Sequence, residues 1–179
     1  MSRTALRLWI AASAALVLAV VSRSIAAKER LRREGEVVYL ELRPLDPRSL
    51  MQGDYMALRF SLADEIEKGP PALASGVAPA GTGAFRARAP MTGEGGWAWA
   101  PIRLDERRVA TLAAEGDPQA LRLRYRVRGG RPWLGTNAFF FPEGQGQRFA
   151  PARFGEFHLD RETGEAVLVG LRDAQLHSL

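Results

Sequence analysis

Few residues in this 179-residue chain combine a reactive type with a telling position. Asp54 and Tyr55 follow Gly53 and open an alternating segment, so together they could form a polar rim that grips a ligand or a partner. The architectural reading of the same stretch comes first: Asp46 caps a turn, Gly53 takes a positive φ, and Asp54 accepts backbone N–H groups where a strand begins. Three consecutive phenylalanines, residues 139–141, lead into Pro142, Glu143 and Gly144 and cannot all point inward from a strand. Covered faces on both sides are the expectation there, with an exposed aromatic docking patch beside Glu143 as the alternative. Arg122, Arg124, Arg126 and Arg128 would space guanidinium groups ~6.6 Å apart along one strand face, a pattern suited to anionic lipid headgroups or a polyanion. Cross-paired acids on adjacent strands are the first expectation for that ladder.

Reactive centres of the usual kinds are thin. The chain has no cysteine, which excludes disulfides, thiolate metal sites and a cysteine nucleophile. Only two histidines occur, His158 and His177, so a multi-histidine metal site is also excluded. His158 reads as a strand-surface residue and His177 as part of a frayed C-terminus. The stretch 76–83 lacks the preceding strand and the lysine of a phosphate-binding loop. Ser49 with Lys68 is the candidate pair for serine-nucleophile hydrolysis, but Lys68 precedes a Gly-Pro-Pro loop with no apolar pocket around it. No catalytic residue, cofactor or metal ligand is therefore assigned.

Charge bears on the partners. Residues 1–35 hold seven basic and two acidic side chains, and residues 36–179 hold eighteen of each. The net +5 thus lies wholly beside the N-terminal apolar stretch. A neutral domain argues against nucleic acid, whose phosphates would need the excess on the domain itself. Residues 8–21 are uncharged and apolar but for Ser13, too short alone for the ~20 residues that cross a bilayer. Extended to residues 5–22 with Arg7 snorkelling, the run becomes long enough. One helix is expected from about residue 9 to 34, stopped by Gly35, with its first half in a membrane. A cleaved signal peptide, cut after the small-x-small pattern at residues 24–26, is the alternative. Basic residues number two before the run and five after it, which favours a cytoplasmic C-terminus; the short basic N-terminus followed by a long domain favours export.

Beyond the anchor, residues 36–43 alternate with Val38, Leu40 and Leu42 on one face and read as a strand. Residues 47–52 suggest one helical turn, and residues 55–62 a second strand with Met56, Leu58, Phe60 and Leu62 on one side. Residues 69–96, rich in Gly and Pro, are expected to be a surface loop, with a short strand possible at 85–88. Residues 97–104 are extended but broken at Pro101, and residues 107–115 are a strand or a short helix. Residues 121–128 form the clearest strand, ended by Gly129 and Gly130. Residues 133–141 are extended, and residues 154–159 and 165–171 make a hairpin turning at 160–164. The fold class is therefore mostly β, an antiparallel barrel or sandwich-like domain over residues 36–179, behind one N-terminal transmembrane helix in residues 1–35.

The ordered set Asp46, Pro47, Arg48, Gly53, Asp54, Tyr55, Leu58 and Phe60 resembles the signature of the GDYXXLXY family, with Phe60 where the family usually has tyrosine. The resemblance continues through Pro142, Glu143, Gly144, Arg153, Gly155 and residues 170–173, so it covers most of the chain apart from the Gly/Pro-rich loop. It implies a bacterial inner-membrane protein with one span, working with a polytopic membrane partner, and it implies no reaction. Asp54, Tyr55, Glu143 and Arg153 are then the expected ligand- or partner-binding set, and the other motif residues the structural frame. An envelope hydrolase similar to signal peptidases, using Ser49, is the competing expectation.

Overall fold

The computed structural model describes residues 3–43, 51–52, 55–68, 96–114 and 116–179. Asp46, Pro47, Arg48, Ser49, Gly53 and Asp54, and the expected loop at 69–96 except Gly96, lie outside them.

A single helix, α1 (Arg3–Glu34), leads into the domain. Its segment Trp9–Glu34 is long and apolar enough to cross a membrane, and no part of its most apolar stretch is buried against protein. Trp9, Leu16, Leu18, Val20 and Val21 point outward around the uncharged stretch 9–21, which therefore presents an apolar surface, whereas the charged residues of the helix lie before and after it. Two of its serine hydroxyls are satisfied within the helix, Ser13 donating to the Ile10 carbonyl (2.9 Å) and Ser24 to that of Val20 (2.9 Å).

The remainder is strand-rich and antiparallel. The elements after α1 are β1 (Glu36–Glu41), β2 (Met51–Gln52), β3 (Tyr55–Ala57), α2 (Ser61–Lys68), β4 (Trp97–Leu104) and β5 (Ala110–Leu112). They continue with β6 (Leu121–Arg128), β7 (Arg131–Trp133), β8 (Ala138–Phe140), α3 (Gly146–Phe149), β9 (Phe154–Leu159) and β10 (Ala166–Arg172). Three sheets form, in the orders β1-β9-β10, β2-β3-β8 and β5-β4-β6-β7. They are stitched by a parallel bridge Tyr39–Val109 and an antiparallel one Leu42–Phe60, which wrap them into an open half-barrel. Val38, Leu40, Ile102, Phe157, Leu159 and Leu171 fill its interior. Phe60 meets Phe157 edge-on at 5.3 Å. Gly155 permits that contact, because a β-carbon there would sit 3.0 Å from the Phe60 ring.

Several expectations change. Residues 55–62 are strand only as far as Ala57; Ser61–Lys68 is helical. Leu62 and Ile66, four apart, both turn toward the core, so the apolar residues satisfy the helical period as well as the alternating one. Met51 and Gln52, expected in a helical turn, pair with Met56 and Tyr55 as β2. Pro101 does not break β4: its carbonyl accepts from Ala113 N (2.9 Å), so its missing N–H faces the end of β5 rather than the β6 ladder. Within residues 107–115 the stretch Ala110–Leu112 is the strand β5, and the extended stretch 133–141 splits into the end of β7 and β8. The C-terminus is tied down rather than frayed. Leu179 N donates to the Leu171 carbonyl (3.2 Å), and His177 N donates to Asp173 Oδ1 (2.8 Å).

The join between α1 and the domain is close. Gly35 N donates to the Leu31 carbonyl (2.9 Å), and a β-carbon on Gly35 would lie 2.5 Å from that oxygen and 2.8 Å from the His158 β-carbon. Gly35→Ala should therefore lower the melting temperature by about 5 °C or more, as forced overpacking does. Gly96→Ala, which meets nothing within 4 Å, should leave it unchanged. Equal melting of the two variants by circular dichroism would contradict the close approach.

Candidate functional site

Two clefts flank β8, and the alternation of three strands builds them. On β9 the core takes Gly155, Phe157 and Leu159, which turns Glu156 and His158 to the opposite face. Across the hairpin Glu156 pairs with Gly170, so Arg172 is its diagonal neighbour on β10. Arg172 Nε donates to Glu156 Oε2 at 2.5 Å, and Nη2 closes on the same carboxylate. His158 Nε2 stands 3.8 Å from Glu156 Oε1, and His158 Nδ1 is buried with no hydrogen-bond partner. This corrects the surface reading of His158, whose side chain is only 14% exposed. The three groups line a cavity of about 480 Å³ roofed by Phe139, Phe141 and Phe149.

Phe139 and Phe141 turn toward Phe149 (5.1 and 5.2 Å between rings), whereas Phe140 is 73% exposed. Both faces of this segment are therefore not covered, because alternation leaves the middle ring no interior to enter. Tyr55, directly opposite Phe140 in the β3–β8 register, packs on it at 5.8 Å and is itself on the surface.

The second cleft, about 680 Å³, lies against β6. Leu123, Tyr125 and Val127 face the core, so Arg124, Arg126 and Arg128 face the other way. The acids expected to pair with them are mostly replaced by tryptophan. Arg124 and Arg126 lie over Trp97 at 4.3 and 3.9 Å, and Arg128 over Trp133 at 3.9 Å. Of these three, only Arg124 meets a carboxylate among the described residues, with Nη2 3.3 Å from Glu165 Oε1, and that carboxylate also holds Lys28 of α1. Trp97 and Trp133 occupy the register positions beside Arg126 on both neighbouring strands, which is why stacking wins over ion pairing.

The predicted site residues are only partly brought together. Tyr55 and the segment leading to Glu143 converge through the β3–β8 pairing, and Glu143 and Gly144 form an exposed turn, Gly144 at φ 79°. Arg153 stands apart: its backbone joins Leu42 and Arg172, and its guanidinium folds onto the neighbouring Ala152 carbonyl (3.0 Å). Asp54 lies outside the described residues, as does Ser49; Lys68 ends α2 exposed. Glu156, His158 and Arg172 were missed, although two charged residues within an otherwise core-facing hairpin were a usable signal. Among the described residues no group of three His, Cys, Asp or Glu could hold a metal ion. Chemically, the first cleft offers a fixed carboxylate, a guanidinium and an imidazole for binding a polar group.

Fold and clefts together define a strand-rich half-barrel carried on one long apolar helix. The family model described as GDYXXLXY protein matches residues 17–171, and the chain belongs to the GDYXXLXY family. No curated protein and no solved structure matches the chain significantly.

Glu156→Gln should lower unfolding free energy by about 2–3 kcal/mol, since it leaves the largely buried Arg172 charge without its counter-ion. Glu143→Gln, on an exposed turn, should change it by under about 0.5 kcal/mol. Urea midpoints that shift equally in the two variants would contradict this division between buried pair and surface turn.

Proposed function

We propose that this protein is a non-enzymatic accessory of the bacterial inner membrane, anchored by α1 with its domain in the periplasm, that docks a polytopic membrane protein. The observation that carries the reading is the exposed Phe140–Tyr55 pair on a domain joined to an apolar helix. A large aromatic 73% exposed loses hydration favourably only when something covers it. Among the described residues β8 is also an edge strand, paired with β3 on one side only, which leaves backbone donors and acceptors beside Phe140 for a partner. The unpaired edge and aromatic anchors are the usual ingredients of a hot spot. A helix with an uncharged apolar stretch supplies the second contact, inside the bilayer, where a multi-span partner would meet it.

A photo-crosslinking residue in place of Tyr55, introduced in the host cell, should give an adduct with a multi-span membrane protein. Phe140→Asp in the same chain should abolish that adduct while leaving the melting temperature within about 2 °C, because Phe140 packs little of the core. In intact cells a lone cysteine at Thr163 should react with a maleimide that crosses the outer but not the inner membrane. An adduct insensitive to Phe140→Asp would overturn the docking surface, and protection of the cysteine until lysis would put the domain in the cytoplasm.

A further inference from the structure

We infer that the β6 cleft is a binding site for a phosphate-bearing anion at the membrane surface. This goes beyond partner docking and does not depend on it. Four cationic groups converge there: Lys28 from α1, and Arg124, Arg126 and Arg128 from β6. Glu165 is the one carboxylate among the lining residues, and its contacts with Lys28 and Arg124 leave Arg126 and Arg128 without a counter-charge among the described residues. The Nε atoms of Arg124 and Arg126 are buried and have no hydrogen-bond partner. Like charges held together repel one another and focus a positive potential on the cavity they line, most strongly at the half-buried Arg124 and Arg126.

The stacking makes this an organised site rather than an accident of composition. Each guanidinium lies over an indole ring, which covers one side of it and leaves its terminal Nη groups as the part that can still reach a ligand. Such groups match oxygens of phosphate in pairs. Alternate residues on a strand lie ~6.6 Å apart, so neighbouring guanidiniums can bracket one tetrahedral anion from two sides. A carboxylate, planar and with two oxygens, would use fewer of the donors. Position points the same way. Lys28 lies seven residues beyond Val21, the end of the uncharged apolar run, which is ~10 Å along a helix and places the cleft at headgroup height. The phosphate could come from an anionic lipid or from solution, and the cavity of about 680 Å³ admits either headgroup or free anion.

The test uses the full chain in neutral detergent micelles and reads tryptophan emission, since Trp97 and Trp133 form the stacking walls. Titrants are dihexanoyl phosphatidylglycerol, dihexanoyl phosphatidylcholine and inorganic phosphate. Saturable change with phosphatidylglycerol but not with phosphatidylcholine or phosphate assigns a lipid headgroup; saturation by inorganic phosphate assigns a free anion. In either case Arg126→Gln and Arg128→Gln should each weaken apparent binding roughly tenfold, the effect of losing one charge-assisted contact. Arg103→Gln, remote on β4 and paired with Asp117, should not change it. Arg128 is exposed, so its variant keeps the fold even if Arg126→Gln does not. No saturable change with any titrant, an equal response to phosphatidylcholine, or full binding by Arg128→Gln would overturn the proposal.

Discussion

Helix α1 reaches the domain through a point where no side chain fits, and the geometry of the whole molecule follows from that contact. At Gly35 the last helical turn presses on β9 beside His158, leaving no room for a β-carbon. Ion pairs on both sides of the point reinforce it. Lys28 of the helix meets Glu165, and Arg161 grips Glu36 at the start of β1 through two hydrogen bonds of 2.5 and 2.6 Å. The Arg161 hydrogen bond, working against partial burial and helped by the charges of Arg161 and Arg108, holds the Glu36 carboxyl below its ordinary value of 4.5. That pair therefore supports the join fully above the ordinary carboxyl value and loses its contribution as pH falls from there through the lowered folded-state value.

The β9–β10 turn is the common partner in these contacts. Gly164, at φ 72°, is buried, and its carbonyl accepts from Arg124 N (2.7 Å) while the Thr163 carbonyl faces Trp99 Nε1 (3.4 Å). A β-carbon on Gly164 would come 2.8 Å from the Arg122 carbonyl, so this turn can tuck onto β6 only as glycine. One turn thus touches the helix, the start of β1, and the sheet carrying the arginines. Its Glu165 is what lets Lys28 join a cleft otherwise built from β6 and its neighbours.

Much of the fold could be read from residue order because the strands report a period of two. β6 and β9 match their expected limits and β10 begins and ends one residue later than expected, with Gly129, Gly130 and Gly164 closing the turns. The α2 segment misled because Met56, Leu58, Phe60 and Leu62 are all buried, an alternation that a strand followed by a helix satisfies as well as a longer strand does. The sites were less legible. Tyr55 stands out by motif, but what makes it part of a surface is Phe140 across the sheet, eighty-five residues later, and register cannot be read from either residue alone. The arginine ladder was visible, yet its partners were not: a neutral composition suggested acids, whereas strand order brought tryptophans from β4 and β7. Buried Glu156 was hidden for the same reason, since its partner is a diagonal neighbour created by the hairpin register.

A distance between helix and domain tests the central claim most directly, namely that the two form one unit. The chain has no cysteine, so spin labels placed at Ser24→Cys and Glu162→Cys are unambiguous. Double electron–electron resonance in nanodiscs should give one narrow distance distribution, broadened when Gly35→Ala is added. A broad distribution in the otherwise native chain would mean that the domain swings freely on its anchor, and would contradict the account.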